Sequence, residues 1–312
     1  MRAFPCAVCG LLLTFESHTC VRCGSAQGFR WPDRRLLAPV QSRCANVELA
    51  RCNWLPARDG QLCFSCALTR TRPADSDVAA LAAFARAEGA KRWLLVELGE
   101  LELPLPAGLT FDLLSSEHAP VMTGHADGLI TLDLAEADDA RRVAAREEMG
   151  EPYRTLLGHM RHEVGHAYFP LLSSLALDRV RALFGDERED YQAALDRHYE
   201  TGPPEDWASS YVSAYATTHP SEDWAETFAH VLHIRDSLQT AAEHGVRVGD
   251  TNPRLTVTAD LRTLLGDWLA LSYALNAINR SMGQEDLYPF TLPDPVVDKL
   301  ALIDELIRQT AR

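Results

Sequence analysis

Apolar residues recur at helical spacing along most of the chain after residue 134. The clearest case is the segment 153–169, where apolar residues three or four positions apart predict a packed helix: Leu156, Leu157, Met160, Val164 and Tyr168. The same spacing predicts helices over residues 137–149, 152–169, 174–184, 189–199, 221–242, 258–280 and 294–310. The C-terminal part of the chain is therefore predicted to be mostly helical.

The part of the chain before residue 134 has shorter apolar runs. Residues 78–88 are mostly small and predict a helix, whereas Arg92–Val96 and Leu109–Leu114 predict strands. The segment Pro120–Leu134 ends in strict apolar–polar alternation and contains the turn sequence His125–Gly128, so it predicts a β-hairpin. The fold class predicted from these elements is α+β, with a helical majority and a small β-sheet.

Composition and charge limit the classes of protein that fit. With 312 residues and 46% hydrophobic content, the chain is long enough for two domains and a sizeable core. The net charge of −14 is uneven: residues 1–72 contain ten arginines, no lysine and four acids, so they sum to +6 and the remainder carries −20. The acidic majority would repel phosphates, which disfavours nucleic acid as a partner. No run is long and apolar enough to cross a membrane, and no secretory signal is recognised, so we expect a cytoplasmic protein.

The helix predicted over residues 152–169 contains the sequence His162-Glu163-Val164-Gly165-His166. Residues four apart share a helix face, so His162 and His166 would present two imidazoles to one metal ion, with Glu163 facing a water bound to it. This spacing is typical of zinc metallopeptidases, in which the glutamate is the general base. A surface helix with two solvated histidines is the alternative. The packed surroundings argue against it, and Gly165 fits a close approach by another backbone or by the metal site.

A catalytic zinc site needs a third protein ligand and an open position for water. The helix predicted over residues 221–242 offers three candidates, which are Glu226, Glu222 one turn earlier and His230 one turn later. Glu226 lies between the apolar residues Trp224 and Phe228, where an acid is costly to bury unless it binds a cation or a partner. Glu226 is therefore the predicted third ligand.

All eight cysteines lie before residue 67, in two sets that have the spacing of zinc knuckles. The first set pairs Cys6-x2-Cys9 with Cys20-x2-Cys23, and ten residues separate the pairs. The second set repeats the ten-residue gap in a degenerate form and comprises Cys44, Cys52, Cys63 and Cys66. Each set predicts a structural zinc site of four thiolates, since disulfides would require an exported chain. We predict a zinc-ribbon domain over residues 1–72 and a second domain over residues 73–312.

These motifs together resemble a known family. The His162–His166 motif, the segment Glu222-Asp-Trp-Ala-Glu-Thr-Phe-Ala-His230, the two cysteine sets and Ser281-Met-Gly-Gln-Glu-Asp-Leu-Tyr-Pro-Phe290 are similar to bacterial zinc-binding metallopeptidases that carry an N-terminal zinc ribbon. The resemblance implies a zincin-like metallopeptidase domain after the ribbon. In the wider group of thermolysin-like zincins, a second helix supplies a glutamate ligand, and by that resemblance Glu226 matches better than Glu222.

The predicted ligand set implies a mechanism for peptide hydrolysis. Glu163 would take a proton from the metal-activated water and pass it to the leaving amine. The developing oxyanion needs one more donor besides zinc, and analogy with zincins favours His219 over Tyr215. The structural alternatives are a histidine that caps a turn and a tyrosine that packs in the core. Asp223 is predicted to orient one of the metal histidines.

The sequence therefore predicts a zinc-dependent peptidase with one catalytic and two structural zinc ions, acting on a peptide or protein substrate. One alternative is a catalytically silent zinc protein that binds peptides or a protein partner, but such a binder has no use for the base Glu163. The other is a zinc-ribbon module associated with nucleic acid, which the absence of lysine clusters disfavours. The substrate, endo- or exopeptidase action, the role of the ribbon and the oligomeric state stay open.

Overall fold

The computed structural model of the chain describes residues 2–38, 40–117, 119–137, 155–249 and 259–311. The chain forms two compact units. The first comprises Met1–Val96 and Gly108–Arg141, and the second comprises Glu97–Ala107 and Arg142–Arg312. The boundary predicted after residue 72 falls inside the first unit.

The first unit begins with short strands that surround the cysteine sets. The strands are β1 (Phe4–Pro5), β2 (Leu12–Leu13), β3 (Gly28–Arg30) and β4 (Arg35–Leu37), followed by the helix α1 (Phe64–Ala67). β1 pairs antiparallel with β2, and β3 pairs antiparallel with β4. Three phenylalanines fill the space between them, with ring centroids 5.4–6.0 Å apart: Phe4, Phe15 and Phe29.

A four-stranded sheet completes the first unit, in the order β5-β6-β8-β7. Its strands are β5 (Thr69–Thr71), β6 (Thr110–Leu114), β7 (Gly124–Ala126) and β8 (Leu129–Asp133). β6 runs parallel to both β5 and β8, while β7 and β8 form an antiparallel hairpin. The predicted hairpin and the predicted strand over 109–114 are confirmed. Because β5 pairs with a strand from much later in the chain, the end of the cysteine-rich segment and the sheet belong to one unit.

The helix α2 (Val78–Glu100) is much longer than predicted. The strand predicted over Arg92–Val96 is wrong, since these residues continue the helix. Leu94, Leu95 and Val96 are all fully buried. A short apolar run that is buried at successive positions has no periodicity that separates a helix from a strand, which explains the error.

The second unit is helical. It contains α3 (Leu156–Ser173), α4 (Leu177–Phe184), α5 (Tyr191–Thr201), α6 (Pro220–Glu243), α7 (Leu261–Ser281) and α8 (Asp294–Thr310), with 3₁₀ turns at Trp207–Ser209 and Tyr215–Thr217. The corresponding predicted helices are confirmed to within a few residues at each end. Residues 138–149 of the helix predicted over 137–149 lie outside the described residues.

The central packing of this unit is between α3 and α6, with α8 against α6. α3 begins after Thr155, whose hydroxyl accepts a hydrogen bond from Gly158 N at 2.9 Å, as an N-cap does. On the opposite helix, Trp224 and Phe228 are fully buried. In the described part of the chain, no helix combines the length and the apolar character needed to cross a membrane.

Candidate metal centre

Helices α3 and α6 approach each other closely at Gly165, inside the His-Glu-x-x-His motif. A Cβ at this position would lie 3.2 Å from Ala225 Cα and 3.3 Å from Phe228 Cβ. The Gly165 carbonyl also accepts a hydrogen bond of 3.0 Å from Trp224 Nε1. The expectation that another backbone passes close to Gly165 is confirmed, and this contact sets the depth at which α6 presents its acids to α3.

Three donor atoms converge at the crossing of the two helices. His162 Nε2 and His166 Nε2 lie 3.1 Å apart, and Glu222 Oε2 lies 3.0 Å from the first and 3.4 Å from the second. A tetrahedral zinc ion with bonds of about 2.0–2.1 Å holds its ligand atoms about 3.3 Å apart, so the three spacings fit one such ion. Glu222 is 2% exposed, and its Oε2 makes no hydrogen bond with any described residue. A buried carboxylate oxygen is costly unless a cation or a hydrogen-bond donor pairs with it.

Glu226, the predicted third ligand, contacts the opposite side of His162. Its Oε1 lies 2.7 Å from His162 Nδ1. A carboxylate only accepts, so Nδ1–H donates to Glu226, and in its neutral form the ring would have the lone pair of Nε2 for a metal. Burial acts to raise the pKa of Glu226, but His162 lowers it to about 2. This geometry favours Glu222, the alternative one turn earlier, as the third donor.

Burial and neighbouring charges shift the pKa values of His162 and Glu222 in opposite directions. Burial acts to lower the pKa of His162, yet the two carboxylates hold it well above its ordinary value. Burial likewise acts to raise the pKa of Glu222, whereas His162 and His166 hold it well below. Tyr191 donates a hydrogen bond of 3.0 Å to Glu222 Oε1, which leaves Oε2 as the oxygen that faces the imidazoles. Sequence reasoning missed Tyr191, because no local spacing connects residues 191 and 222.

Glu163 lies beside the three donors and not among them. Its Oε1 is 3.0 Å from His159 Nε2, one turn earlier on α3, while its buried Oε2 has no hydrogen-bond partner among the described residues. Burial acts to raise the pKa of Glu163, but the histidines, His159 first, lower it. Glu163 is thus an ionised base with one oxygen uncommitted.

The structure does not support the predicted role of His219. The residue is the N-cap of α6: its Nδ1 accepts a hydrogen bond from Ser221 N at 3.1 Å and lies 2.7 Å from Ser221 Oγ. Its Nε2 lies 3.1 Å from the carbonyl oxygen of Glu189, to which it donates. With both nitrogens engaged and only 4% of the residue exposed, His219 serves to begin the helix.

Asp223 is also placed away from its predicted partner. Its Oδ2 forms an ion pair of 2.6 Å with Lys299 Nζ from α8, and both side chains are buried. Burial raises the pKa of Asp223 to about 7 in spite of the lysine. The contact with a motif histidine that the sequence predicted for Asp223 is made instead by Glu226, at His162 Nδ1.

Tyr215 stays close to the donors. Its ring centroid lies 6.1 Å from that of His162. Burial, Glu222 and Tyr191 all raise the pKa of Tyr215. The phenol therefore keeps its proton at neutral pH. His230, the other candidate ligand, is buried one turn beyond Glu226, and its Nδ1 lies 2.8 Å from the hydroxyl of Tyr288.

The first cysteine set brings four thiols together in the N-terminal unit. All eight cysteines of the chain are free thiols. The sulfur atoms of the first set lie within 4.8 Å of one another, with Cys6–Cys23 at 3.8 Å and Cys9–Cys20 at 3.6 Å. A tetrahedral zinc ion with bonds of about 2.3 Å sets its sulfurs about 3.8 Å apart. The hydroxyl of Ser25, 3.5 Å from Cys6 Sγ, lowers the pKa of Cys6 to about 6, and this favours the thiolate that a metal needs.

The second set forms a more deeply buried cluster, in which Cys44, Cys52, Cys63 and Cys66 are each at most 2% exposed. Their sulfurs also lie within 4.8 Å of one another, and Cys52–Cys63 is 3.5 Å. Backbone N–H groups donate to the sulfurs, as Cys63 N does to Cys44 Sγ at 3.3 Å. Both predicted cysteine groupings could therefore hold a metal ion, although the second lacks a regular leading knuckle.

A family model described as "putative zinc-binding metallo-peptidase" matches residues 80–306, a range that contains the His/Glu centre but not the cysteines. Proteins from Mycobacterium tuberculosis and Mycobacterium bovis, described as uncharacterized, are 54% identical over 331 residues. Each match covers 100% of this chain and 96% of the relative. No solved structure matches the chain.

Proposed function

The chain belongs to the family of putative zinc-binding metallo-peptidases, and from that premise we propose that it is a zinc-dependent peptidase whose catalytic zinc is held by His162, His166 and Glu222. One observation carries the ligand assignment. The buried Glu222 Oε2 lacks a hydrogen bond and faces both Nε2 atoms at 3.0 and 3.4 Å. Two imidazoles and one carboxylate are the ligand set of catalytic zinc sites that keep a position open for water.

The neighbouring residues divide the work of hydrolysis. A zinc ion held by His162, His166 and Glu222 would supply Lewis-acid chemistry, which lowers the pKa of a water molecule towards ~7. Glu163 accepts the proton at its uncommitted Oε2 and delivers it to the nitrogen of the leaving amine, so that one residue serves as base and then as acid. Tyr215, which keeps its phenolic proton, donates to the carbonyl oxygen as negative charge develops there.

Two further residues hold the ligands in place. Glu226 keeps the proton of His162 on Nδ1, and Tyr191 holds Oε1 of Glu222. Such contacts behind metal ligands fix their orientation, and their loss typically weakens metal binding by about 10–100-fold. The two cysteine sets bind one structural zinc ion each, which gives three zinc ions per chain.

The test compares the wild type with Glu163→Gln at equal zinc content on a peptide library. Glutamine is nearly isosteric with glutamate but cannot accept the proton, so we expect retained zinc and a loss of cleavage of about 10²–10⁴-fold. Digestion is followed by mass spectrometry of the library.

Two results would contradict the proposal. Equal cleavage by both proteins would point to another base or to a contaminating protease. No cleavage by zinc-loaded wild type on any library would instead favour a zinc protein that binds peptides without hydrolysing them.

A further inference from the structure

His159 forms a partly buried pair with Glu163 on the same face of α3. His159 Nε2 lies 3.0 Å from Glu163 Oε1, and the side chains are 14% and 6% exposed. A carboxylate oxygen only accepts, so Nε2–H of His159 is the donor. Residues four apart on a helix commonly form such pairs at the surface, where they contribute little, but this one is shielded from water.

The pair divides the two oxygens of Glu163 between two roles. Oε1 is held by His159, while Oε2 is buried and has no hydrogen-bond partner among the described residues. A glutamate has three rotatable side-chain bonds, and a bond to Oε1 restricts them so that Oε2 keeps one orientation. Only Oε2 is then available for exchanging a proton with a ligand at the metal.

We propose that His159 is a positioning residue for Glu163, which makes His159-x-x-His162-Glu163-x-x-His166 the functional motif of this chain. The inference rests on the proposed function, because it assigns His159 a part in the same site. His159 neither binds the metal nor touches the substrate. It acts by holding the base with one oxygen tied and the other free.

The first test measures binding of acetohydroxamic acid to the zinc-loaded protein and needs no turnover. This probe gives its O–H proton to Glu163 and binds the metal through its two oxygens. We expect His159→Phe to weaken binding about tenfold, the order expected for a hydrogen bond to a charged group. The same change in a Glu163→Gln background is expected to have no further effect, since His159 acts only through Glu163.

Two controls separate positioning from packing. His159→Gln offers an amide donor at the same place and is expected to restore most of the affinity. His244→Phe replaces an exposed histidine at the C-terminal end of α6 and is expected to behave as wild type. Zinc content, measured by elemental analysis, is expected to be equal in all variants. Equal losses from His159→Phe in both backgrounds, or loss of zinc, would overturn the inference.

The second test uses peptide cleavage. We expect His159→Phe to lower kcat about tenfold with KM unchanged, and His159→Gln to recover it. A wild type that binds hydroxamate but cleaves no peptide would overturn the peptidase function, while the double-mutant cycle would still decide the role of His159. No hydroxamate binding by zinc-loaded wild type would overturn both proposals, since the site would then have no open position.

Discussion

At the scale of single residues, His162 has a carboxylate at each ring nitrogen in the candidate metal centre. Its Nε2 faces Glu222 at 3.0 Å and its Nδ1 faces Glu226 at 2.7 Å. One carboxylate is therefore in the position of a co-ligand and the other in the position of an orienting partner. Both acids lie on one face of α6, a single turn apart, yet they have different expected effects on the metal.

This difference leads to a prediction on zinc affinity. Glu226→Gln is expected to lower the affinity of the His/Glu centre for zinc by about 10–100-fold, because the contact of Glu226 with His162 Nδ1 is changed. Glu222→Gln is expected to lower this affinity more, because a charged ligand is lost. The cysteine sites are expected to keep their zinc in both variants. Competition with a chromogenic chelator measures both, and Glu200→Gln on the exposed surface of α5 is the matched control. A larger loss in Glu226→Gln would return the third-ligand role to Glu226.

The candidate residues that local helix geometry connects could be predicted from the sequence. His162, Glu163 and His166 follow from the four-residue repeat of a helix, and the same rule could have found His159. Glu222 and Glu226 satisfy that rule equally well. The choice between them depends on how deeply α6 is set against α3, which the contact at Gly165 determines and which no local pattern records. The contacts of His219 with Glu189 and of Asp223 with Lys299 were beyond sequence reasoning, because these partners are distant in sequence.

At the scale of elements, the absence of a side chain at Gly165 permits the short distance between α3 and α6. In Gly165→Ala the new Cβ would lie 3.2 Å from backbone Ala225 Cα, so α6 must move by a few tenths of an ångström. Better helix propensity would add up to about 1 kcal/mol of stability, but overpacking costs about 1–3 kcal/mol. We expect weaker binding of the catalytic zinc together with equal or lower thermal stability.

The matched control for this change is Gly266→Ala in the middle of α7. A Cβ there meets no atom within 4 Å. Helix propensity alone then acts, and we expect a stabilisation of up to about 1 kcal/mol with unchanged zinc affinity. Thermal unfolding and chelator competition on both variants give the comparison. Gly165→Ala with wild-type zinc affinity would show that the interhelical distance does not control the ligands.

A second prediction at this scale concerns the buried contact between Glu97, near the end of α2, and Arg161 on α3. Arg161 Nε donates to Glu97 Oε2 at 3.0 Å, and Asp236 shares the guanidinium at 3.2 Å. Burial raises the pKa of Glu97 to about 7, from 4.5, despite Arg161. Because the pKa of Glu97 is raised in the folded state, its protonation contributes fully to the free energy of unfolding below pH 4.5. This contribution is lost as the pH rises through about 7.

The contribution of Glu97 to the free energy of unfolding should therefore fall by up to about 3 kcal/mol between pH 4.5 and pH 8. Glu97→Gln removes the titration. We expect the stability of the wild type relative to this variant to decrease across that range. Urea unfolding at several pH values measures the difference, and a difference that is constant with pH would contradict the assignment.

Secondary structure was predictable where the hydrophobic pattern has a period. The helices of the second unit and the hairpin Gly124–Asp133 follow such patterns. α2 was not predictable over its second half, because charged residues there are buried together with the apolar ones. The sequence therefore shows no separate solvent-exposed face. The pairing of β5 with β6 was also beyond sequence reasoning, since a strand of three residues has no local signal for a distant partner.

At the scale of the whole molecule, the three donor groups differ in access to solvent. Cys23 of the first set is exposed, the second set is wholly buried, and the His/Glu centre could offer three ligands to an ion that takes four. We expect three zinc ions per chain by elemental analysis. Mild chelation should release the ion of the His/Glu centre first, because an open site exchanges faster than a closed thiolate cage. One zinc per chain with eight freely titratable thiols would contradict this expectation.

The position of the second cysteine set in the chain has a consequence for solubility. Cys66 lies in α1, and β5 begins at Thr69, so the short edge strand is tethered to the metal cluster. If that cluster lost its order, β5 would be free to leave β6 and would uncover a row of unpaired backbone groups flanked by Phe111 and Leu113. Exposed apolar edges of this kind recruit other chains. A metal ion bound by the second set would therefore protect the chain against aggregation, independently of any catalysis.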